Sequence, residues 1–494
     1  MRRYRLSRGV TYGPLLASLF CLAIGCAGDN SAQTQTAPGA PAESSSVSQN
    51  RQAGGEAIIP STGQAVETKG AVDIVKAEVK GGEADSKTGP TPLAFLSQES
   101  DETLINDQPY DLVAPTGLER ATGKIPSYNL MTVGKVELGK QLYYDPRLSL
   151  DSTVSCASCH DPAKGWTDQR RVSVGISGQE GGRNSPTVLN TVLGNSMFWD
   201  GRSPTLEGQA QGPIQNKIEM GDQSYRQIVE RLRTIPGYRE QFRKVFGTEV
   251  TLDGLAKAVA CFERTALSGD SAYDRYMVAM AGDPEDPKSA QILTLEQKRG
   301  MNLFGIGISP DDPDKDKVDA KFKGRANCTA CHAGDNFTDE GFHNLGVGYD
   351  SSQAKFADLG RWVVAPIGTK AKAERGAFKT PTVRDITRTA PYMHDGSEPT
   401  LEAVVEYYNK GGVKNPSLDP KMAPLNLTDV EKSDLVAFMK ALNGKVVAVS
   451  VPTLPPGPDG KSPDPRAALN APGGTEQVAS NRQAGRVHQI AGLQ

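Results

Sequence analysis

Histidine is scarce in this chain, with five among 494 residues. Few imidazoles are therefore available for metal ligation or acid–base work. Cysteine is sparse too: seven residues, from which no even set remains for a disulfide framework once the motifs below are removed. No segment offers the ~20 consecutive apolar residues that a spanning helix needs. Charge of one sign is not in excess either. Lys and Arg number 55 against 58 Asp and Glu, a net charge of −3 with a pI near 6.1, which gives no footing for a nucleic-acid partner.

Against that background two short motifs stand out. Cys156-Ala157-Ser158-Cys159-His160 and Cys328-Thr329-Ala330-Cys331-His332 both read Cys-x-x-Cys-His, the pattern of covalent c-type haem attachment. Cysteines three apart lie on neighbouring turns of a helix, so both sulfurs reach the vinyl groups of one porphyrin. The adjoining His then ligates the iron from below. A zinc site is the competing interpretation, but the two pairs are much too far apart for a zinc-ribbon loop. Two copies predict two covalently bound c-type haems, held by Cys156, Cys159, Cys328 and Cys331, with His160 and His332 as proximal ligands. Redox chemistry follows.

The N-terminus predicts export. Arg2, Arg3, Arg5 and Arg8 precede an apolar stretch over 10–24, the arrangement of a signal peptide. It ends in Ala23-Ile24-Gly25-Cys26, which resembles a bacterial lipobox. A periplasmic or cell-envelope protein anchored by lipid on Cys26 is expected, with plain secretion after nearby cleavage as the alternative. Cys21 and Cys26 are then outside the folded body, and Cys261 reads as a small buried core residue.

Composition divides the rest. Residues 27–122 are rich in Ala, Gly, Ser, Gln and Glu and read as a flexible linker after a 1–26 signal peptide. Residues 451–494 open with Pro452, Pro455, Pro456 and Pro458 and read as a disordered tail. The body between them repeats itself. A helical pattern over 136–143 precedes the first motif and another over 296–304 precedes the second. Each half closes on an amphipathic helix, 252–267 and 430–442, the latter opened by a capping box of Thr428 and Glu431. The expected fold is mainly α: two cytochrome c-like haem domains in tandem, at 123–285 and 286–450, with long loops and flexible terminal extensions. An acidic run, Asp312, Asp314 and Asp316, lacks the Gly and the bidentate Glu of an EF-hand, because Lys317 and Lys323 stand there. It reads as a solvated surface loop.

Further segments carry a family resemblance. Arg183-Asn184-Ser185-Pro186-Thr187-Val188-Leu189-Asn190, Phe198-Trp199-Asp200-Gly201-Arg202, Gln209-Ala210-Gln211-Gly212-Pro213 and Glu219-Met220-Gly221 lie in the first half. Lys379-Thr380-Pro381-Thr382-Val383-Arg384 and Ala390-Pro391-Tyr392-Met393-His394-Asp395-Gly396 lie in the second. Together with the haem motifs they resemble the bacterial di-haem cytochrome c peroxidases and their MauG-type relatives, over roughly 125–443. The resemblance implies that the N-terminal haem reduces hydrogen peroxide through a high-valent intermediate shared with the C-terminal, electron-transfer haem. It implies Glu219 as the distal acid–base residue, Gln209 as its polar neighbour and Trp199 as the residue between the haems. It also implies an inter-haem calcium ion held by Asn184 and the carbonyls of Thr389 and Pro391.

Two positions depart from the peroxidase pattern. Where a typical peroxidase carries a loop His that caps the resting peroxidatic haem, this chain has Ile176, which cannot ligate iron. Where a Met ligates the second haem, it has Tyr408, the residue found in MauG; Met393 or another residue is the alternative ligand. An anionic tyrosinate would lower the potential of that haem. These departures tilt the expectation toward MauG-like oxidation of a partner protein. The other enzyme reading takes electrons from a small donor, a cytochrome c or a cupredoxin. A di-haem electron-transfer cytochrome without peroxidase activity is the non-enzymatic alternative, and Glu219 and Gln209 argue against it.

Overall fold

A computed structural model describes residues 107–470 apart from 285, 366–370 and 372–373. The expected signal segment, Cys26, most of the expected linker and the last part of the expected tail lie outside the described residues.

Helices dominate. In chain order they are α1 Val133–Tyr144, α2 Cys156–Cys159, α3 Leu206–Gln215, α4 Tyr225–Arg233, α5 Pro236–Phe246, α6 Leu252–Glu263, α7 Ala272–Gly282, α8 Leu295–Phe304, α9 Leu401–Asn409 and α10 Asp429–Ala441. Several shorter helical turns connect them. Among the described residues, sheet is confined to three antiparallel ribbons of two-residue strands: β1 Ser268–Gly269 with β6 Lys445–Val446, β2 Phe342–His343 with β5 Phe378–Lys379, and β3 Tyr349–Asp350 with β4 Lys355–Phe356. Local sequence sets the helix starts. Thr132, Ser224, Thr294 and Thr428 are N-caps whose side chains accept from the third residue of the helix. In α4, α8 and α10 a Gln or Glu at that third position returns the bond, so the capping box expected at Thr428 and Glu431 is present. Pro236 opens α5 and Gly247 closes it in the left-handed conformation.

The repeat in the sequence appears as two equivalent helix crossings. α1 lies against α6 so closely that a Cβ on Gly139 would sit 1.9 Å from the carbonyl oxygen of Ala258. α8 lies against α10 in the same way, with Gly300 facing the carbonyl of Asp434 at the same 1.9 Å. Only Gly allows either approach. One turn further on, the equivalent aromatics meet edge to face: Tyr143 with Phe262, centroids 5.1 Å apart, and Phe304 with Phe438, 5.3 Å apart. Each pair belongs to its own hydrophobic cluster.

Three expectations need correction. Residues 107–122 are not free linker, because Leu118 and Ala121 are fully buried and the 107–113 segment is hydrogen-bonded to the chain at 131–133. Residues 451–470 are not a disordered tail. Leu454 is buried, Pro455 packs over Gly237, and the carbonyl of Ala468 accepts from Ser158 Oγ inside the first Cys-x-x-Cys-His motif at 2.8 Å. Proline there fixes an extended path across the first cluster rather than releasing the chain. Finally, the acidic run is not a solvated loop throughout. Asp312 is 0% exposed and Lys298, also 0% exposed, places its ammonium 2.9 Å from Asp312 and 2.7 Å from Asp314. Tyr276 donates to Asp312 at 2.8 Å. The buried lysine supplies the compensating charge that a buried carboxylate requires.

Candidate haem sites

The first motif starts as a true helical turn, α2, capped reciprocally by Ser155 and Ser158. Cys156 and Cys159 are half-buried, and burial raises both thiols; Cys159 is pushed up to about 12. Burial lowers His160, which is therefore neutral at pH 7 and able to ligate a metal. Its Nδ1 has no hydrogen-bond partner among the described residues. Tyr143 holds the segment by donating to the His160 carbonyl at 2.9 Å.

Glu219 carries its charge toward this pair, since it is one of the groups that raises both Cys156 and Cys159. The turn that carries it is built on Asn216, the residue that ends α3. The Asn216 carbonyl accepts from the amides of Glu219, Met220 and Gly221, and its Nδ2 donates to Glu219 Oε1 at 2.7 Å. Burial raises the Glu219 carboxyl above the usual range, while Arg202 and the Asn216 bond pull it back. Ile176 is buried beside the same turn: its amide donates to the Glu219 carbonyl at 3.1 Å. Gly175 makes that approach possible, because a Cβ there would lie 1.9 Å from the Ile218 oxygen. Gln209 is half-buried on α3.

In the second motif Cys328–Ala330 form a single 3-10 turn rather than an α-turn. His332 is again lowered by burial, and its Nδ1 faces the Phe337 carbonyl at 3.1 Å, which fixes the ring. A mainly apolar cavity of about 300 Å³ opens here, lined by Cys328, Cys331, His332 and Tyr408 among others. Tyr408 projects from α9; burial first, then Cys328 and Cys331, raise its hydroxyl. Met393, Met422 and Met439 line the same cavity, so the alternative thioether ligands are also at hand. Both donor sets fit a c-type haem, with paired thiols and an adjoining neutral imidazole, and the second adds a largely apolar cavity.

The cavity continues to the seam between the halves. Trp199 Nε1 donates to the Asn184 carbonyl at 2.8 Å, and the Trp199 carbonyl accepts from the Lys379 amide at 2.7 Å. Asn184 Nδ2 donates to the Arg170 carbonyl at 2.8 Å, its amide to the His394 carbonyl at 2.8 Å, and Thr389 and Pro391 line the same space. His394 stacks on Phe378 with centroids 3.5 Å apart, and burial lowers it to about 4. Both ring nitrogens of His343 face carboxylates. Neither of these His belongs to the turn of Ile176 and Glu219.

Sequence reasoning missed Asn216, His343 and the buried Glu263, which burial raises to about 8 and whose Oε2 has no partner. Only Asn216 left a signal, its three-residue spacing from Glu219.

Comparisons with known proteins agree with this geometry. A family model described as di-haem cytochrome c peroxidase matches residues 134–282. The chain is similar to a methylamine utilization protein MauG of Methylorubrum extorquens, 40% identical over 332 residues, covering 67% of this chain and 84% of the relative. It is also similar to a cytochrome c551 peroxidase of Nitrosomonas europaea, 37% identical over 322 residues, covering 65% and 83%. Among solved structures, a MauG-like protein associated with microbial copper homeostasis superposes with a TM-score of 0.55 at 29% identity, over 68% of this chain and 95% of that one.

Proposed function

Since the chain belongs to the di-haem cytochrome c peroxidase family, and is a haem-dependent oxidoreductase of that peroxidase and MauG type, we propose the following division of labour among its residues. Cys156, Cys159 and His160, within 123–285, hold the peroxidatic haem. Cys328, Cys331 and His332, within 286–450, would hold the electron-transfer haem, with Tyr408 supplying a further ligand to its iron. Bound there, the haems supply the iron at which peroxide is reduced and the store for the electrons that reduce it.

The remaining chemistry belongs to side chains. Glu219 takes a proton from one oxygen of hydrogen peroxide and returns it to the other, which leaves as water. Asn216 holds Oε1, so Oε2 is the atom that exchanges the proton. Ile176 fills the position of a capping ligand without being able to ligate, and so leaves room for peroxide beside Glu219. Gln209 orients peroxide or the product water. Trp199 links the halves and lies on the path between haems. Asn184, with the carbonyls of Thr389 and Pro391, holds one calcium ion at the seam. The protein acts in the periplasm or cell envelope, anchored through Cys26.

The observation that carries this reading is the half-buried Glu219 carboxyl, held by Asn216 next to Ile176 and close enough for its charge to raise both thiols of the first cysteine pair. An electron carrier has no need of such an acid. The electron source is either a small cytochrome or cupredoxin, or side chains of a partner protein oxidised as MauG relatives do; Tyr408 favours the second. Stoichiometric peroxide is added to the diferric holoprotein, and reduced cytochrome c is offered afterwards. A peroxide-induced spectrum that persists supports protein oxidation, and one discharged with fast turnover supports a small donor. No spectral change would remove the peroxidase assignment.

A further inference from the structure

The two haem motifs are followed by matching tripeptides, Trp166-Thr167-Asp168 and Phe337-Thr338-Asp339. Their carboxylates meet different fates. Asp168 is buried, accepts the Arg170 amide through Oδ1 and leaves Oδ2 without a partner. Asp339 instead meets His343. The His343 ring lies between two carboxylates, with Nε2 2.9 Å from Asp339 Oδ2 and Nδ1 2.6 Å from Asp419 Oδ2. A carboxylate only accepts, so both nitrogens must carry protons and the ring is an imidazolium. Cys331 first and then the two carboxylates hold the ring above the ordinary range, against the effect of burial. With Cys331 in a thioether the carboxylates remain to hold the proton.

This cation sits at the edge of the second haem motif. One ligand atom each from Cys331, Asp339 and His343 lies within 4.8 Å of the others. Lys421 completes the group, with its ammonium 2.8 Å from the Ala330 carbonyl, 3.7 Å from Cys331 Sγ and 4.0 Å from Asp339. At the first motif Cys159 meets the neutral hydroxyl of Ser173, with the Asp168 and Glu219 carboxylates and the Arg170 guanidinium acting on it as well.

We propose that His343 is a fixed cation that raises the reduction potential of the haem bound at Cys328 and Cys331, and that Asp339 and Asp419 position it there. The proposal rests on the reading that this motif holds a haem. Reduction adds an electron to that haem, so a positive charge a few ångströms from its thioether stabilises the reduced form. The same charge offsets the potential-lowering effect of an anionic Tyr408. The first haem has no imidazolium beside it; the charged groups acting on Cys159 there are Asp168, Glu219 and Arg170.

Spectroelectrochemical titration of the full-length holoprotein at pH 7 tests this without reference to turnover. His343→Gln removes the cation and should lower the midpoint of the second haem, leaving the first unchanged. His343→Lys keeps a cation and should restore most of the shift. Asp419→Asn removes an anion while Asp339 still holds the ring, and should raise the same midpoint. A merely structural clamp predicts that the Gln and Asn variants move together or not at all. Unchanged midpoints, or shifts of one sign in both, would overturn the proposal. Should His343→Gln fail to fold, the direction of the Asp419→Asn shift decides. A wild-type protein with no second haem would instead refute the reading beneath it.

Discussion

Trp199 is bonded to both halves of the molecule: its indole N–H donates to the Asn184 carbonyl at 2.8 Å and its carbonyl accepts from the Lys379 amide at 2.7 Å. The side chain is therefore fixed at the seam. Trp199→Phe keeps an aromatic ring but loses the indole donor and much of the orbital bridge. Both haems should remain bound and the first should react with peroxide at close to the wild-type rate. The oxidation that then develops at the second haem should slow at least tenfold, read by rapid-scan spectroscopy. Unchanged transfer would place the path elsewhere.

Asn216, after Arg202, lowers the proton affinity of Glu219. Its 2.7 Å bond stabilises the carboxylate and opposes the upward shift that burial causes. Asn216→Ala should raise the Glu219 pKa further. Peroxide deprotonation needs the carboxylate, so activity is present above that pKa and falls as pH drops through it. The acid limb of the kcat/KM profile should therefore move to higher pH in the variant. A limb that stays put would mean that another group governs it.

Tyr408 faces the second cysteine pair from α9. If it ligates the iron, Tyr408→Met should raise the potential of that haem, since a thioether stabilises ferric iron less than a tyrosinate does. Tyr408→Phe should change its low-spin spectrum. Should Met393 be the ligand, Tyr408→Phe would leave potential and spectrum alone.

The helix crossings make a stability prediction. A methyl group on Gly300 would meet the Asp434 carbonyl at 1.9 Å, and backbone cannot yield as a side chain can. Gly300→Ala should cost at least ~1–3 kcal/mol, the range for overpacking, seen as a lower Tm. Gly139→Ala should do the same in the first half. A Tm within error of wild type in either variant would show that the helices separate freely.

Much of this was legible in the chain. Both haem motifs, the paired helices and the Thr428 capping box are local patterns, and local patterns survive folding. Gly139 and Gly300 were visible as residues, but their purpose depends on a carbonyl more than a hundred positions away. The burial of Asp312 was illegible because its partner, Lys298, is an ordinary lysine in a helix, and only tertiary packing makes it a core cation. The path of 451–470 was misread because proline-rich composition does not distinguish an ordered extended chain from a disordered one. His343 offered no motif either, since Asp339 and Asp419 flank it from two separate loops.

The central claim is that Glu219 moves the proton at an open first haem, and the rate at which the diferric holoprotein reacts with peroxide tests it most directly. Stopped-flow comparison of wild type with Glu219→Gln should show that rate falling ~10²–10⁴-fold, the usual worth of general acid–base catalysis. Both haems should remain bound in the variant. A wild-type protein inert until reduced, or a variant reacting at the wild-type rate, would contradict the account.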